Sequence, residues 1–251
     1  VTGFTAYLSS PVLPLARILY VFPHPDDESF GPGPVLALQR RQGHEVCLLT
    51  LTRGEATKQR EKFGYSREEM GEIRYREMQD VARVLDLTDL TVLDFEDGGL
   101  SELDPLVLEA VIRQQIERVR PDVIVTYAIH GISGHRDHLA GHAAVKHVYS
   151  ALRRDGASYL KRLAFFTLPA TPQPGRAPHL QGSPEDVIDC IVPVDEETLE
   201  IGRAALRCYE TYEDVIIEHD PLAQVVDGVC FEFFQEDYTP PASDLLDGLD
   251  V

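Results

Sequence analysis

The sequence predicts an α/β fold: a Rossmann-like, mostly parallel sheet in the order 3-2-1-4-5, extended by C-terminal strands, with helices on both faces. Three observations predict it. Short apolar runs rich in β-branched and aromatic residues alternate with longer segments of helical spacing. Helix start and stop residues fall at the junctions between them. The strands are apolar throughout rather than alternating, as expected of a sheet covered on both sides. Right-handed crossovers then join the strands within one domain spanning 1–251.

The elements follow in order. Residues 1–16 lack the basic stretch of a secretory signal and read as an irregular lead-in. RILYVF (Arg17–Phe22) is the first strand. GPVLALQRRQGH follows at helical spacing and stops at Gly43, a residue suited to the left-handed position after a helix. EVCLLTLT (Glu45–Thr52) is the second strand. Ser66–Leu87 is a long helix, because Ser66 and Glu69 have capping-box spacing and Ile73, Met78, Val81, Ala82 and Leu85 lie broadly on one face. LTVLDF (Leu90–Phe95) is the third strand. Asp104–Pro121 is a helix opened by Pro105 and stopped by Pro121. DVIVTYA (Asp122–Ala128), a helix over His138–Arg154 and RLAFFTL (Arg162–Leu168) complete the alternation.

Beyond Pro169 the pattern loosens. PATPQPGRAPHLQGSP reads as a surface loop, DVIDCIVPV (Asp186–Val194) as a strand, DEETLEIGRAALRCYETY as a helix and VVDGVCFEFFQEDY as a late strand. Residues 169–240 are expected to extend the sheet or cap the site, and 241–251 to form a loose acidic tail.

Composition excludes several functions. An apolar share of 43 % argues against disorder, and no apolar run approaches the ~20 residues of a membrane span. A net charge of −19 leaves no excess Lys and Arg to neutralise phosphates, which argues against nucleic acid and against an anionic membrane surface. Cys47, Cys190, Cys208 and Cys230 include no Cys-x-x-Cys pair and read as buried thiols of a cytoplasmic protein.

Two polar clusters carry the chemistry. HPDDE (His24–Glu28) ends the first strand, and GHRDHLAGH (Gly134–His142) follows the fourth. Ligands of open parallel sheets bind beyond the strands' carboxyl ends, where the strand order switches. With strands one and four adjacent, both clusters fall on that crevice. An acidic pair after a strand is by itself an ordinary solvated turn; His24 and the distant His-Arg-Asp-His make it a site. Three His and carboxylate ligands suit a catalytic Zn²⁺ with one position open for water, although such donors also accept Fe²⁺ or Co²⁺. A carboxylate off the metal can take the water's proton, and a histidine can stabilise an oxyanion or protonate a leaving amine.

These motifs resemble the zinc-dependent de-N-acetylases of the PIG-L/LmbE type, over roughly Ile18 to Leu152. The resemblance implies that His24, Asp27 and His138 bind zinc and that Asp26 is the general base. It implies that His135 is the general acid or oxyanion stabiliser and that Asp137 orients a histidine. Arg74 in IRYREM would lie near substrate hydroxyls, and Asp97 in FEDGGL would contact substrate. The implied substrate is a small amino-sugar conjugate, and the family often forms oligomers. Where the family often carries a Ser-Gln pair, this chain reads RCYETYED.

Other polar residues read more plainly. Glu28 braces the turn; His142 is a packing or supporting residue; Glu55 faces the crevice by topology, while His130 ends strand four, where it could line the crevice, its role left open; His44, His147, His179 and His219 are structural or surface residues. Two other readings use the same residues. A zinc-retaining protein that binds sugars without turnover would keep every ligand. A receiver-like Mg²⁺ module would use the paired acids and Asp94, but it needs a Lys where the chain reads TLPATP, and it leaves His24 and HRDH idle.

Overall fold

The computed structural model describes residues 15–171, 175–225 and 227–251, so the expected lead-in over 1–16 lies almost wholly outside the described residues. Its strands are β1 (Arg17–Phe22), β2 (Glu45–Thr52), β3 (Asp89–Phe95), β4 (Val123–Tyr127), β5 (Arg162–Thr167), β6 (Cys190–Val192) and β7 (Val229–Phe233). They form one sheet in the order β3-β2-β1-β4-β5-β7-β6. The first five run parallel in the expected order. β7 pairs antiparallel with β5 and β6 antiparallel with β7, so the C-terminal region extends the sheet.

The helices are α1 (Gly33–Arg41), α2 (Gln59–Phe63), α3 (Arg67–Val84), α4 (Pro105–Val119), α5 (Gly131–Gly134), α6 (Arg136–Arg154), α7 (Glu196–Leu206) and α8 (Glu213–His219). The two-residue period of β1 splits the core. Ile18, Tyr20 and Phe22 join α1, α3 and α7 through Leu36, Val81 and Leu206. Leu19 and Val21 join α4 and α6 through Ile112, Ile116 and Val145. Each such aliphatic side chain taken from water contributes about 1.5–3 kcal/mol, so both helical layers are held by burial. Both bonds of the Ser66–Glu69 capping box form at the start of α3.

Four expectations change. The fourth crossover helix begins at Arg136, not His138, because the His135 ring caps it by accepting the Asp137 N–H. The strand expected over Asp186–Val194 shrinks to β6, since the Asp189 carboxylate accepts the N–H groups of Phe233 and Tyr238. The helix expected through Tyr212 stops at Leu206, and a short turn at Glu210–Tyr212 precedes α8. There Thr211 gives its N–H and hydroxyl to Glu77 of α3, which pulls the chain off the helical path.

The tail over 241–251 is not loose. Ala242 exchanges backbone hydrogen bonds with Asp189 and Ile191, and Leu245 is fully buried. The buried Arg162 guanidinium donates to the carbonyls of Leu245 and Asp247. Among the described residues no helix is long and apolar enough to cross a membrane, and all four cysteines are free.

Candidate active site

β1 and β4 are adjacent, so the loop after β1 and the start of α6 meet over their carboxyl ends. The β1 loop is tightly wound. Asp26 sits at φ +91°, a region costly for a residue with a side chain, and its carbonyl accepts the N–H groups of Ser29 and Phe30. Asp27 is buried; its Oδ2 accepts the His24 N–H at 2.8 Å and its Oδ1 the Tyr127 hydroxyl at 2.8 Å. On the facing side, His138 Nδ1–H donates to the Gly131 carbonyl at 2.8 Å, leaving Nε2 as the free acceptor nitrogen. Gly131 is required there: it lies at φ +62°, and a Cβ would stand 2.8 Å from that of His138.

Three donors converge. His24 Nδ1 lies 3.2 Å from His138 Nε2, His138 Nε2 lies 3.4 Å from Asp27 Oδ1, and His24 Nδ1 lies 3.6 Å from Asp27 Oδ2. Tetrahedral zinc with bonds of ~2.0–2.2 Å has ligand-to-ligand edges of about 3.3–3.6 Å. The nitrogens of His24 and His138 therefore stand at ligand spacing for a divalent metal, and Asp27 borders each of them through a different oxygen. The other His24 nitrogen, Nε2, lies 3.2 Å from both Asp97 Oδ1 and Asp137 Oδ2. Asp137 is fully buried and fixed by the N–H groups of Gly98 and Leu100. A ring that gives Nε2–H to a fixed carboxylate and turns Nδ1 to the site is the usual outer support of a metal-binding histidine. Two groups converge closely enough to hold an ion, His24 with His135 and His138 and His24 with Asp97 and Asp137; in the first, His135 is exposed and its Nδ1 accepts the Asp137 N–H.

The electrostatics separate the two acids. Burial would raise both. For Asp27, His138 and His24 outweigh burial and hold its carboxyl well below the usual range. For Asp26, burial wins, and with the charge of Asp27 it pushes the pKa up to about 6 against the pull of Arg74. Two neighbouring carboxylates with opposed shifts are suited to different tasks. Burial disfavours charge on His24, but Asp137, Asp27 and Asp97 overcome this and raise its pKa well above normal. A metal held by this ring would have to displace its proton.

Arg74 lines the cavity, as its expected place near substrate requires, and there it also holds Asp26. Its guanidinium is 1 % exposed, donates to Asp26 Oδ2 and the Pro25 carbonyl at 2.7 Å each, and lies 4.1 Å over the Tyr212 ring. Asp97 remains in the cavity wall, tied to His24 and to the Ala56 N–H. Glu55 reaches the same place from below, accepting the Asp97 N–H. Glu28 braces through side chains: it accepts the hydroxyls of Ser29 and Tyr209, and burial lifts its pKa to about 7.

The remaining histidines separate clearly. His142 is buried and donates to the Tyr127 carbonyl at 2.8 Å. His130 turns away from the cavity wall toward Ser183 and Thr167. His44 is buried and accepts the Ala16 N–H, and His147 is exposed beside Glu109. His179 and His219 are exposed but line the cavity. Asp94 is exposed and outside the cavity wall, which leaves the receiver-like arrangement without its third acid.

Sequence reasoning missed Tyr127, Tyr209 and Tyr212. Tyr127 stacks on His138 with centroids 4.2 Å apart while its hydroxyl holds Asp27. The available signal was a lone phenol closing an otherwise apolar strand. Tyr209 and Tyr212 lie in RCYETYED, so this segment closes the site around Glu28 and Arg74. The assembled residues border a cavity of about 600 Å³, within the range of small-molecule sites.

A family model described as PIG-L, GlcNAc-PI de-N-acetylase, matches residues 19–149. A probable N-acetyl-alpha-D-glucosaminyl L-malate deacetylase 2 of Bacillus subtilis (strain 168) is 33 % identical over 142 residues, covering 55 % of this chain and 63 % of that protein. A 1D-myo-inositol 2-acetamido-2-deoxy-alpha-D-glucopyranoside deacetylase of Thermomonospora curvata is 33 % identical over 147 residues, 50 % of each chain. The chain thus spans between half and just under two thirds of the length of these relatives. The solved 4-carboxy-2-hydroxymuconate hydratase GalB of Pseudomonas putida KT2440 matches with a TM-score of 0.69 at 14 % identity, covering 88 % of this chain and 97 % of that one. At that identity the likeness shows the fold alone, and the fold does not choose the reaction.

Proposed function

Because this chain belongs to the PIG-L family of de-N-acetylases, we propose that it is a metal-dependent hydrolase removing an N-acetyl or related acyl group from an N-acetylglucosamine-type conjugate. The observation that carries the reading is the approach of His24 Nδ1 and His138 Nε2 to metal-ligand spacing, with Asp27 bordering both and a separately tuned Asp26 beside them. These donors suit Zn²⁺ first, with Fe²⁺ and Co²⁺ as alternatives. When bound, the metal supplies polarisation of the amide carbonyl and acidification of a water.

The chain's own residues supply the rest. Asp26, held by Arg74, takes the proton of the attacking water. Asp137 keeps the Nε2 proton of His24 in place, so Nδ1 stays available as a ligand. His135, its Nδ1 occupied as a helix cap, carries its proton on Nε2 in the neutral ring and donates it to the developing oxyanion or the leaving amine. Four free thiols suit a reducing compartment, and we place the protein in the cytoplasm.

The test is acetate release from a panel of N-acetylglucosamine conjugates by metal-loaded protein, with and without chelator. Asp26→Asn is expected to keep the metal and lose about 10²–10⁴-fold in rate. Metal retention and sugar binding with no release from any conjugate would replace the enzyme by a binding protein.

A further inference from the structure

One peptide group joins two histidines behind the site. The Gly131 carbonyl accepts the His138 Nδ1–H at 2.8 Å, and the Ile132 N–H, on the other edge of the same peptide plane, donates to His130 Nδ1 at 3.0 Å. The plane is rigid, so fixing its N–H fixes its carbonyl. With Nδ1 accepting, the neutral His130 ring carries its proton on Nε2, which faces Ser183 Oγ at 3.1 Å and Thr167 Oγ1 at 3.3 Å. Ser183 gives its own hydroxyl to Glu232, so the far side of the ring is anchored on β5 and β7. Ile132 lies at φ +58°, a region costly for a β-branched residue. A half-turn of the plane would change only the ψ of Gly131 and the φ of Ile132, and would return Ile132 to negative φ. Gly131 offers little resistance to that turn. The turned plane would meet His138 with an N–H in place of a carbonyl. That selects the tautomer protonated on Nε2 and removes this nitrogen as a ligand.

We propose that His130 is a positioning residue: by accepting the Ile132 N–H it holds the Gly131 carbonyl toward His138, which keeps the His138 proton on Nδ1 and leaves Nε2 free as a ligand. That this Nε2 serves a metal rests on the hydrolase reading above; the hold on the His138 tautomer does not. His130 stands outside the cavity wall, so it acts only through the peptide and His138. An N–H that donates also polarises the carbonyl of its own peptide group, which strengthens the bond to His138 in the same direction.

Two amides separate the two sides of the ring. An Asn side chain places its oxygen where Nδ1 stands, and a Gln side chain reaches where Nε2 stands. His130→Asn therefore keeps the Ile132 bond, and His130→Gln keeps only the side facing Ser183. Long-range ¹H–¹⁵N correlation spectra of the metal-free protein at pH 8 read the His138 tautomer, and chelator competition reads Zn²⁺ affinity. Expected is a His138 proton on Nδ1 in the unaltered protein and in His130→Asn, with Zn²⁺ affinity of the two within about threefold. His130→Gln is expected to shift that proton toward Nε2 and to weaken Zn²⁺ binding about 10–100-fold, the range of outer supports. Ser183→Ala, which leaves Thr167 to accept the Nε2 proton of His130, is expected to change neither readout. The proposal is overturned by an unmoved tautomer in His130→Gln, by a loss in His130→Asn that His130→Gln escapes, or by a loss in Ser183→Ala as large as in His130→Gln. A tautomer that shifts in His130→Gln while even the unaltered protein binds no Zn²⁺ leaves the positioning standing and removes the metal reading. Tight Zn²⁺ binding with the His138 tautomer unmoved by His130→Gln does the reverse.

Discussion

Arg74 Nη2 lies 2.7 Å from Asp26 Oδ2, and the guanidinium making that contact is all but closed to solvent. A buried cation beside a buried carboxylate sets the protonation of the acid. Burial lifts the pKa of Asp26 to about 6 while Arg74 pulls it down. A proton acceptor must be ionised, so replacing Arg74 by Met raises the pKa of Asp26 and moves the acidic limb of the rate profile to higher pH. Arg74→Met is expected to lower kcat at pH 7 by at least tenfold with metal content unchanged, and to recover part of it by pH 9. A loss in Arg74→Met that stays constant from pH 6 to 9 would place Arg74 outside the control of the base.

Tyr127 supports the opposite acid. Its hydroxyl is a donor to Asp27 Oδ1, and its ring stacks on His138. Tyr127→Phe keeps the stack and removes the hydrogen bond alone. Supporting contacts of this kind typically alter metal affinity by about 10–100-fold. The expected result is a loss in that range in a chelator-competition titration, with the far-ultraviolet spectrum unchanged. Unaltered affinity would mean that the His24 N–H suffices to hold Asp27.

How much of this was legible in the sequence depends on the distance over which each signal acts. Ser66 and Glu69 announced a cap because both partners lie in one helical turn. The first five strands were legible as apolar runs, and their order brought His24 to His138 across more than a hundred residues. The hold of Arg74 on Asp26, of Tyr209 on Glu28 and of Thr211 on Glu77 left no local trace, since each joins distant segments through one side chain. The tail misled for the same reason: an acidic, proline-flanked segment reads as solvated, and its anchor, Arg162, stands some eighty residues earlier.

His142 gives the fold an acid-sensitive point. It is buried and donates from Nδ1 to the Tyr127 carbonyl. Burial lowers its pKa, outweighing that hydrogen bond. The folded value lies below the unfolded value of about 6.5, so its contribution is complete above pH 6.5 and is lost as pH falls through the folded value. His142→Asn keeps a donor near Nδ1 and cannot titrate. Urea midpoints measured between pH 7.5 and 5 are expected to fall less steeply in the variant; parallel slopes would assign the acid sensitivity to the other buried histidines.

Arg162 is the clearest stability lesion that should spare the chemistry. It is fully buried on β5, bonds both Glu236 oxygens, the Tyr238 hydroxyl and the carbonyls of Leu245 and Asp247, and lies 4.0 Å over the Phe233 ring. Removing one partner of a buried ion pair costs about 3–5 kcal/mol, because the other charge loses its compensation. Glu236 keeps some solvent, with 28 % of its side chain exposed, which favours the lower end. Arg162→Met is therefore expected to destabilise the fold by about 3 kcal/mol in urea unfolding, and to speed hydrogen exchange in 241–251 first. Because β5 reaches the cavity only at its far end, through Phe166, metal affinity should hold at temperatures where the variant is still folded. Unchanged exchange in the tail would show that the backbone bonds of Ala242 and the burial of Leu245 hold the segment without Arg162.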